Sequence, residues 1–227
     1  MFSNTPTYAV IVLYPVAVSF LEMARNNFHP LQALTRLDTP TKIYLINLRY
    51  VNTKCHKHRH DPLLPSTGEV ISGFETSDPS LVFAAHHMNA WEEEGDVVFD
   101  LSTASWDAME TFFDIDKMLS HPDTDADRAG SLMRRVRLNL STKAVNVSDW
   151  PNDLGIPLHN SIDFPMINPL YTGYKNRYAY GWAGVDYFKQ HLVKKDLETS
   201  SEDKTWFRPS HYPGEVFFIP NPGKSKK

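Results

Sequence analysis

Ten histidines in a chain of 227 residues carry most of its capacity for chemistry, since neutral imidazole binds metals and moves protons near neutral pH. They fall into three groups. CHKHRH places His56, His58 and His60 at alternate positions. On an extended strand all three would face one side, in steps of about 7 Å, which suits a surface metal site. Lys54, Lys57 and Arg59 stand among them and repel a divalent ion, so a solvated hairpin tip is the stronger reading. His29, His121, His159, His191 and His211 are scattered and read as surface or packing residues.

The third group is the pair His86–His87 inside AAHHMNAWEEEGDVVFDL. Adjacent strand residues point to opposite faces, so only one of the two can reach a given metal in a regular strand. Val82, Ala84, His86 and Met88 are expected on one face; Leu81, Phe83, Ala85 and His87 on the other. Spacing does not choose between them. Whichever histidine serves needs partners, because a metal site takes several ligands in fixed geometry.

The elements that must carry these groups are short strands. TYAVIVLY, KIYLINL, SLVFAAHHM, DVVFDL, RRVRLNL, NRYAYGW and EVFFIP are rich in β-branched and aromatic residues, separated by turn-formers such as SDPS, EEEGD and NPGK. WDAMETFFDIDKMLS, from Trp106 to Ser120, is the one stretch with helical spacing of its apolar positions. The class is therefore all-β with one short helical insertion, in a single domain over residues 1–227. A sandwich, barrel or propeller fits, and no internal repeat marks out blades.

Composition narrows the partners. Lys and Arg total 23 against 27 Asp and Glu, a net charge of −4 without a long basic run, so no nucleic-acid partner is expected. A lone cysteine, Cys55, allows no internal disulfide and fits a reducing compartment. The apolar run from Tyr8 lacks a basic lead, is interrupted by Pro15 and reaches Glu22 too soon to span a bilayer. Two strands around Pro15 are expected there, and a cytoplasmic location is the default, with mitochondrial residence left open. No phosphate-binding glycine loop, GxSxG or HExxH is present.

HHMNAWEEEGDVVFDL resembles the hallmark of the carotenoid cleavage oxygenases, the family of β-carotene dioxygenases and the retinoid isomerase. Its pattern is Phe-His-x-x-Asn-Ala-(Trp/Tyr)-Glu-Glu followed by a Val-Val-x-Asp-like strand. Asn89, Ala90, Trp91, Glu92 and Glu93 match, and counting back three from Asn89 selects His86. Ala85 stands where the family has Phe. Further segments agree in order: TPTYAVIVLYPV, IDFPMINPLYTGYKNRYAYG, KKDLETSSEDKTW and HYPGEVFFIPNPG. The resemblance is weak from about Trp106 to Leu158.

What the resemblance implies is part of a seven-bladed β-propeller, several consecutive blades, holding Fe(II) through four histidines with glutamates behind some of them. Dioxygen would cut a double bond of a carotenoid, apocarotenoid or retinoid-like lipid to carbonyl products, with peripheral membrane contact to collect the substrate. By matched position His86 is an iron ligand; Asp163 stands where a glutamate supports that ligand; Glu215 stands where a second glutamate supports another. Asp163 is one methylene shorter than glutamate, a deficit of roughly 1.5 Å. No directly reacting side chain is assigned. The other family ligands would lie before Met1 and after the final KSKK, so the chain is expected to be an incomplete form that does not retain iron or act alone. The alternative is a shortened, non-catalytic relative that binds lipid, carotenoid or a full-length partner.

Overall fold

The computed structural model describes residues 2–25, 33–48, 69–106, 131–149, 161–184, 190–199 and 203–221. They form three four-stranded sheets and one small hairpin, with little helix. The first sheet contains β1 (Phe2–Asn4), β2 (Tyr8–Leu13), β5 (Thr41–Asn47) and β6 (Val70–Thr76), in the order β1-β2-β5-β6. β3 (Val16–Val18) and β4 (Leu34–Arg36) make the hairpin beside it, and α1 (Phe20–Arg25) is a short helix between them. The second sheet runs β10-β9-β8-β7, from β7 (Ala84–Glu93), β8 (Asp96–Thr103), β9 (Leu132–Asn139) and β10 (Val145–Asp149). The third follows chain order: β11 (Asp163–Met166), β12 (Tyr178–Gly184), β13 (Gln190–Asp196) and β14 (Lys204–Trp206). Every pairing is antiparallel.

Sequence explains which strands are interior. β8, DVVFDLST, is buried at every position after Asp96, because it lies between β7 and β9 with a sheet packed on each face. β9 alternates instead: Met133, Val136 and Leu138 go inward, and Arg134, Arg135 and Arg137 stay half-buried. Two cores result. Val10, Ile43, Leu45 and Phe74 of the first sheet pack on Val97, Phe99 and Leu101 of the second. Met88 and Met133 of the second pack on Ile162, Ala179, Ala183 and Val193 of the third side. The second sheet is thus the middle layer, and its strand β7 is positioned by both neighbours.

The expected strands around Pro15 are present as β2 and β3. Three expectations need correction. First, SLVFAAHHM is not one strand from Ser80. Asp78 accepts hydrogen bonds from the Ser80 N–H and Oγ, and with Pro79 it winds Pro79–Leu81 into a 3-10 turn before β7 begins at Ala84. Second, alternation along β7 is broken by two register shifts against β8, between Ala84 and His86 and between His87 and Asn89. Each shift leaves one extra residue on β7, a β-bulge. Ala84 consequently joins the first core and Met88 the second, although strict alternation puts them on one face.

Third, EVFFIP forms no strand. None of its residues joins a ladder among the described residues. Phe217 and Ile219 are 80% and 78% exposed, and Phe218 rests on Tyr180 with ring centroids 5.6 Å apart. The expected helix from Trp106 to Ser120 lies, after Trp106, outside the described residues. The three sheets do not close on one another.

Candidate metal-ligand site

One edge strand from each sheet comes to the same place: β1 and β11 both lie against β7. The two histidines of β7 divide between these neighbours. His86 Nδ1 is 2.6 Å from Oδ1 of Asp163 on β11. An ionised carboxylate only accepts, so Nδ1 carries a proton, and in the neutral imidazole Nε2 then keeps its lone pair. The His86 side chain is 23% exposed and that of Asp163 12%. The imidazole also lies 4.6 Å from the Phe164 ring, which stacks on Trp182 at 5.2 Å. A metal-facing imidazole needs this arrangement: one nitrogen held by an acceptor, the other free to bind, the ring plane fixed by packing.

Asp163 is itself held. Its Oδ1 accepts from the Phe164 backbone N–H at 2.9 Å and lies 3.3 Å from Ser102 Oγ. Ser102 also donates to the Ile162 carbonyl at 2.7 Å, tying β8 to the start of β11. Phe164 takes a positive φ of 44°, and the β11–β12 register shifts between Asp163 and Met166. This local turn of the backbone aims the carboxylate at His86 and brings the Phe164 N–H onto Oδ1, and the shorter acid reaches directly.

His87 faces the first sheet. Its Nδ1 is 3.1 Å from Ser3 Oγ, and its ring stacks parallel over Phe99 at 6.2 Å. Burial pushes its imidazole down to about 4, so it is neutral at physiological pH and serves packing between β1 and β7.

The acidic part of the motif is structural. Glu92 Oε1 accepts from Thr5 Oγ1 at 2.7 Å and from the Thr7 N–H at 3.1 Å. Glu93 binds Lys175 and Arg137, each at 2.6 Å, and the Lys175 hydrogen bond leads in holding its carboxyl below the usual range. Both acids fasten the second sheet to its neighbours and neither approaches His86 through a hydrogen bond. Trp91 is buried beneath Arg135, whose guanidinium carbon stands 4.6 Å from the ring centroid.

Glu215 is exposed in the strandless segment after β14, and no hydrogen bond or ion pair joins it to His86 or Asp163. His56, His58 and His60, with His29, His121 and His159, lie outside the described residues. His191 stacks on Phe207 at 4.7 Å, and His211 is exposed with Nδ1 3.0 Å from the Pro209 carbonyl. Among the described residues no three His, Cys, Asp or Glu side chains converge as a metal site. Ser102, Phe164 and Trp182 were not marked by sequence reasoning. Their roles depend on which backbone lies opposite, and no spacing encodes that.

The described residues thus form four-stranded antiparallel sheets whose edges bring an imidazole onto a buried carboxylate. The chain belongs to the carotenoid cleavage oxygenase family: the family model described as "RPE65: Retinal pigment epithelial membrane protein" matches residues 2–227. It is 28% identical over 235 residues to a carotenoid isomerooxygenase of Galleria mellonella, covering all of this chain and 41% of that protein. It is 27% identical over 172 residues to the β,β-carotene 15,15′-dioxygenase of Rattus norvegicus, covering 65% of this chain and 29% of that protein. Its fold is similar to solved structures of Synechocystis apocarotenoid oxygenase. A point mutant of that enzyme superposes with a TM-score of 0.68 at 19% identity, over 99% of this chain and 41% of that one. A cobalt-substituted form gives 0.66 at the same identity and coverage. The chain therefore spans less than half the length of these relatives.

Proposed function

We propose that this chain supplies part of the iron(II) centre of an oxygenase that cleaves a carotenoid or apocarotenoid double bond. The 2.6 Å contact between His86 Nδ1 and Asp163 carries the reading, because it leaves Nε2 as a lone-pair donor in a ring whose orientation is fixed. Imidazole of this kind fits Fe(II), and the donor chemistry present suits one of its ligand positions. The remaining ligands come from outside the described residues. Bound iron would supply dioxygen activation beside the polyene, one alkene and one O2 giving two carbonyl products. In the neutral imidazole Asp163 holds the proton on Nδ1, which leaves the Nε2 lone pair for the metal. Phe164 and Trp182 give that side of His86 an aromatic wall on which a polyene can pack. The three sheets are read as consecutive blades of a seven-bladed propeller, which the four-stranded antiparallel pattern supports. Glu215 is assigned to the support of a further imidazole on the resemblance of HYPGEVFFIPNPG.

The test is iron content and apocarotenoid cleavage by the complete gene product, with and without His86→Ala. One iron per molecule and aldehyde products, both lost in the variant, support the reading. Iron and products unchanged by the substitution overturn it.

A further inference from the structure

We infer that Gly181 is a positioning residue: the absence of a side chain on β12 beside Asp163 sets the approach of β11 and fits the carboxylate pocket to aspartate. The inference rests on the reading of His86 as a ligand only for its consequence at the metal.

A Cβ placed on Gly181 would stand 2.5 Å from the Asp163 carbonyl oxygen, and 2.7 and 3.1 Å from Cγ1 and Cδ1 of Ile162. The two contacts differ in kind. A rotamer change can move Ile162 away, but the carbonyl can move only with the backbone that carries the Asp163 side chain. Strand glycines without positive φ commonly mark such close approaches. The segment is pinned from the other side as well. Ile162 donates its N–H to the Ser131 carbonyl at 3.2 Å, and its own carbonyl accepts from Ser102 Oγ at 2.7 Å. Gly181 thus closes a slot in which Oδ1 meets two donors, His86 Nδ1 and the Phe164 N–H, with Ser102 Oγ 3.3 Å away. A hydrogen bond of 2.6 Å leaves the favourable range only once it lengthens by more than about 0.6 Å, so a strand displacement of about 1 Å is what releases His86. A glutamate at the same place carries its carboxylate roughly 1.5 Å farther and cannot meet both donors from that backbone.

The experiment uses the full 227-residue chain, metal-free, with 15N-labelled histidine at one fixed near-neutral pH. Two-bond 1H–15N spectra report which imidazole nitrogen carries the proton. The wild type is expected to show His86 as Nδ1–H, and Ala179→Gly, on the same strand away from Asp163, is expected to keep that pattern. Gly181→Ala and Asp163→Glu are each expected to lose it, His86 then averaging between tautomers. A folded Gly181→Ala chain with an unchanged His86 pattern overturns the inference, and so does an unchanged pattern in Asp163→Glu. If Gly181→Ala does not fold, Asp163→Glu decides the matter. Co(II) added to the wild type separates the two claims. A His86 signal lost in the variants but untouched by Co(II) upholds Gly181 and overturns the metal-ligand reading.

Discussion

Gly173 donates its backbone N–H to Asn89 Oδ1 at 3.1 Å, joining the middle of β7 to the turn that leads into β12. The Asn89 amide nitrogen lies 2.7 Å from Asn176 Oδ1, 2.8 Å from the Tyr174 carbonyl and 3.2 Å from that of Tyr171. One buried amide thus holds the Pro169–Asn176 turn. Gly173 has a positive φ of 85° and lies against Pro6 and the Asn4 carbonyl, so the same turn touches the corner between β1 and β2. This junction fixes β7, and with it the site, relative to both neighbouring sheets. Asn89→Ala leaves several buried groups without partners, and a loss of about 3 kcal/mol in urea unfolding is expected. Asn89→Asp should be nearly as costly, because a carboxylate has no proton for three facing acceptors.

Asp163→Ala should weaken metal binding without removing the ligand. Outer carboxylates on metal-bound imidazoles are worth roughly 10–100-fold in affinity or activity, so a fall of that size is expected in competition titrations of the metal-bound complete protein. His86→Ala should fall further.

Arg135 and Asp100 form a second test, of the frame. Asp100 is buried, and Arg135 donates to both its oxygens, at 2.8 and 2.9 Å. Burial raises the Asp100 carboxyl above its ordinary value, while the Arg135 hydrogen bonds pull it back. Arg135→Met strands this acid in the core and also strips the cation from Trp91. A cost of about 3–5 kcal/mol is expected by chemical denaturation, and replacing Asp100 by Leu in the same chain should recover much of it.

Acid should destabilise the third sheet through Asp196. Arg177 hydrogen bonds first, then those from Thr199 and the Glu198 N–H, hold this carboxyl far below its ordinary value of 3.8. A carboxyl depressed in the folded state binds fewer protons than in the unfolded chain. Its stabilisation is therefore full above 3.8 and is lost progressively as pH falls below it. Asp100, raised by burial, contributes with the opposite sign, so the comparison must be between variants. Asp196→Asn should be less stable at neutral pH and show a shallower acid limb in pH-dependent melting.

The sequence made some of this legible and hid the rest for physical reasons. β2, β5, β8, β9 and β12 were readable because six to eight residues of alternating or continuous apolar character leave a pattern. β1, β4, β11 and β14 are three or four residues long, too short for a period to register. The bulges at β7 carry no compositional mark, since one extra residue in a strand looks like any other. EVFFIP misled because apolar alternation states a capacity to pair and does not say that a partner strand takes it up. The link between His86 and Asp163 spans 77 positions and came from matched motifs. Ser102 and Gly181 could not be read from the sequence, because their roles lie in what a backbone meets across two strands.

The most direct test of the central claim is cleavage of an apocarotenoid by the complete gene product under 18O2 with Fe(II), comparing wild type with His86→Ala. The account predicts 18O-labelled aldehyde products from the wild type, falling to background in the variant together with its iron. Equal product from both proteins, or iron held at full stoichiometry without His86, would contradict it.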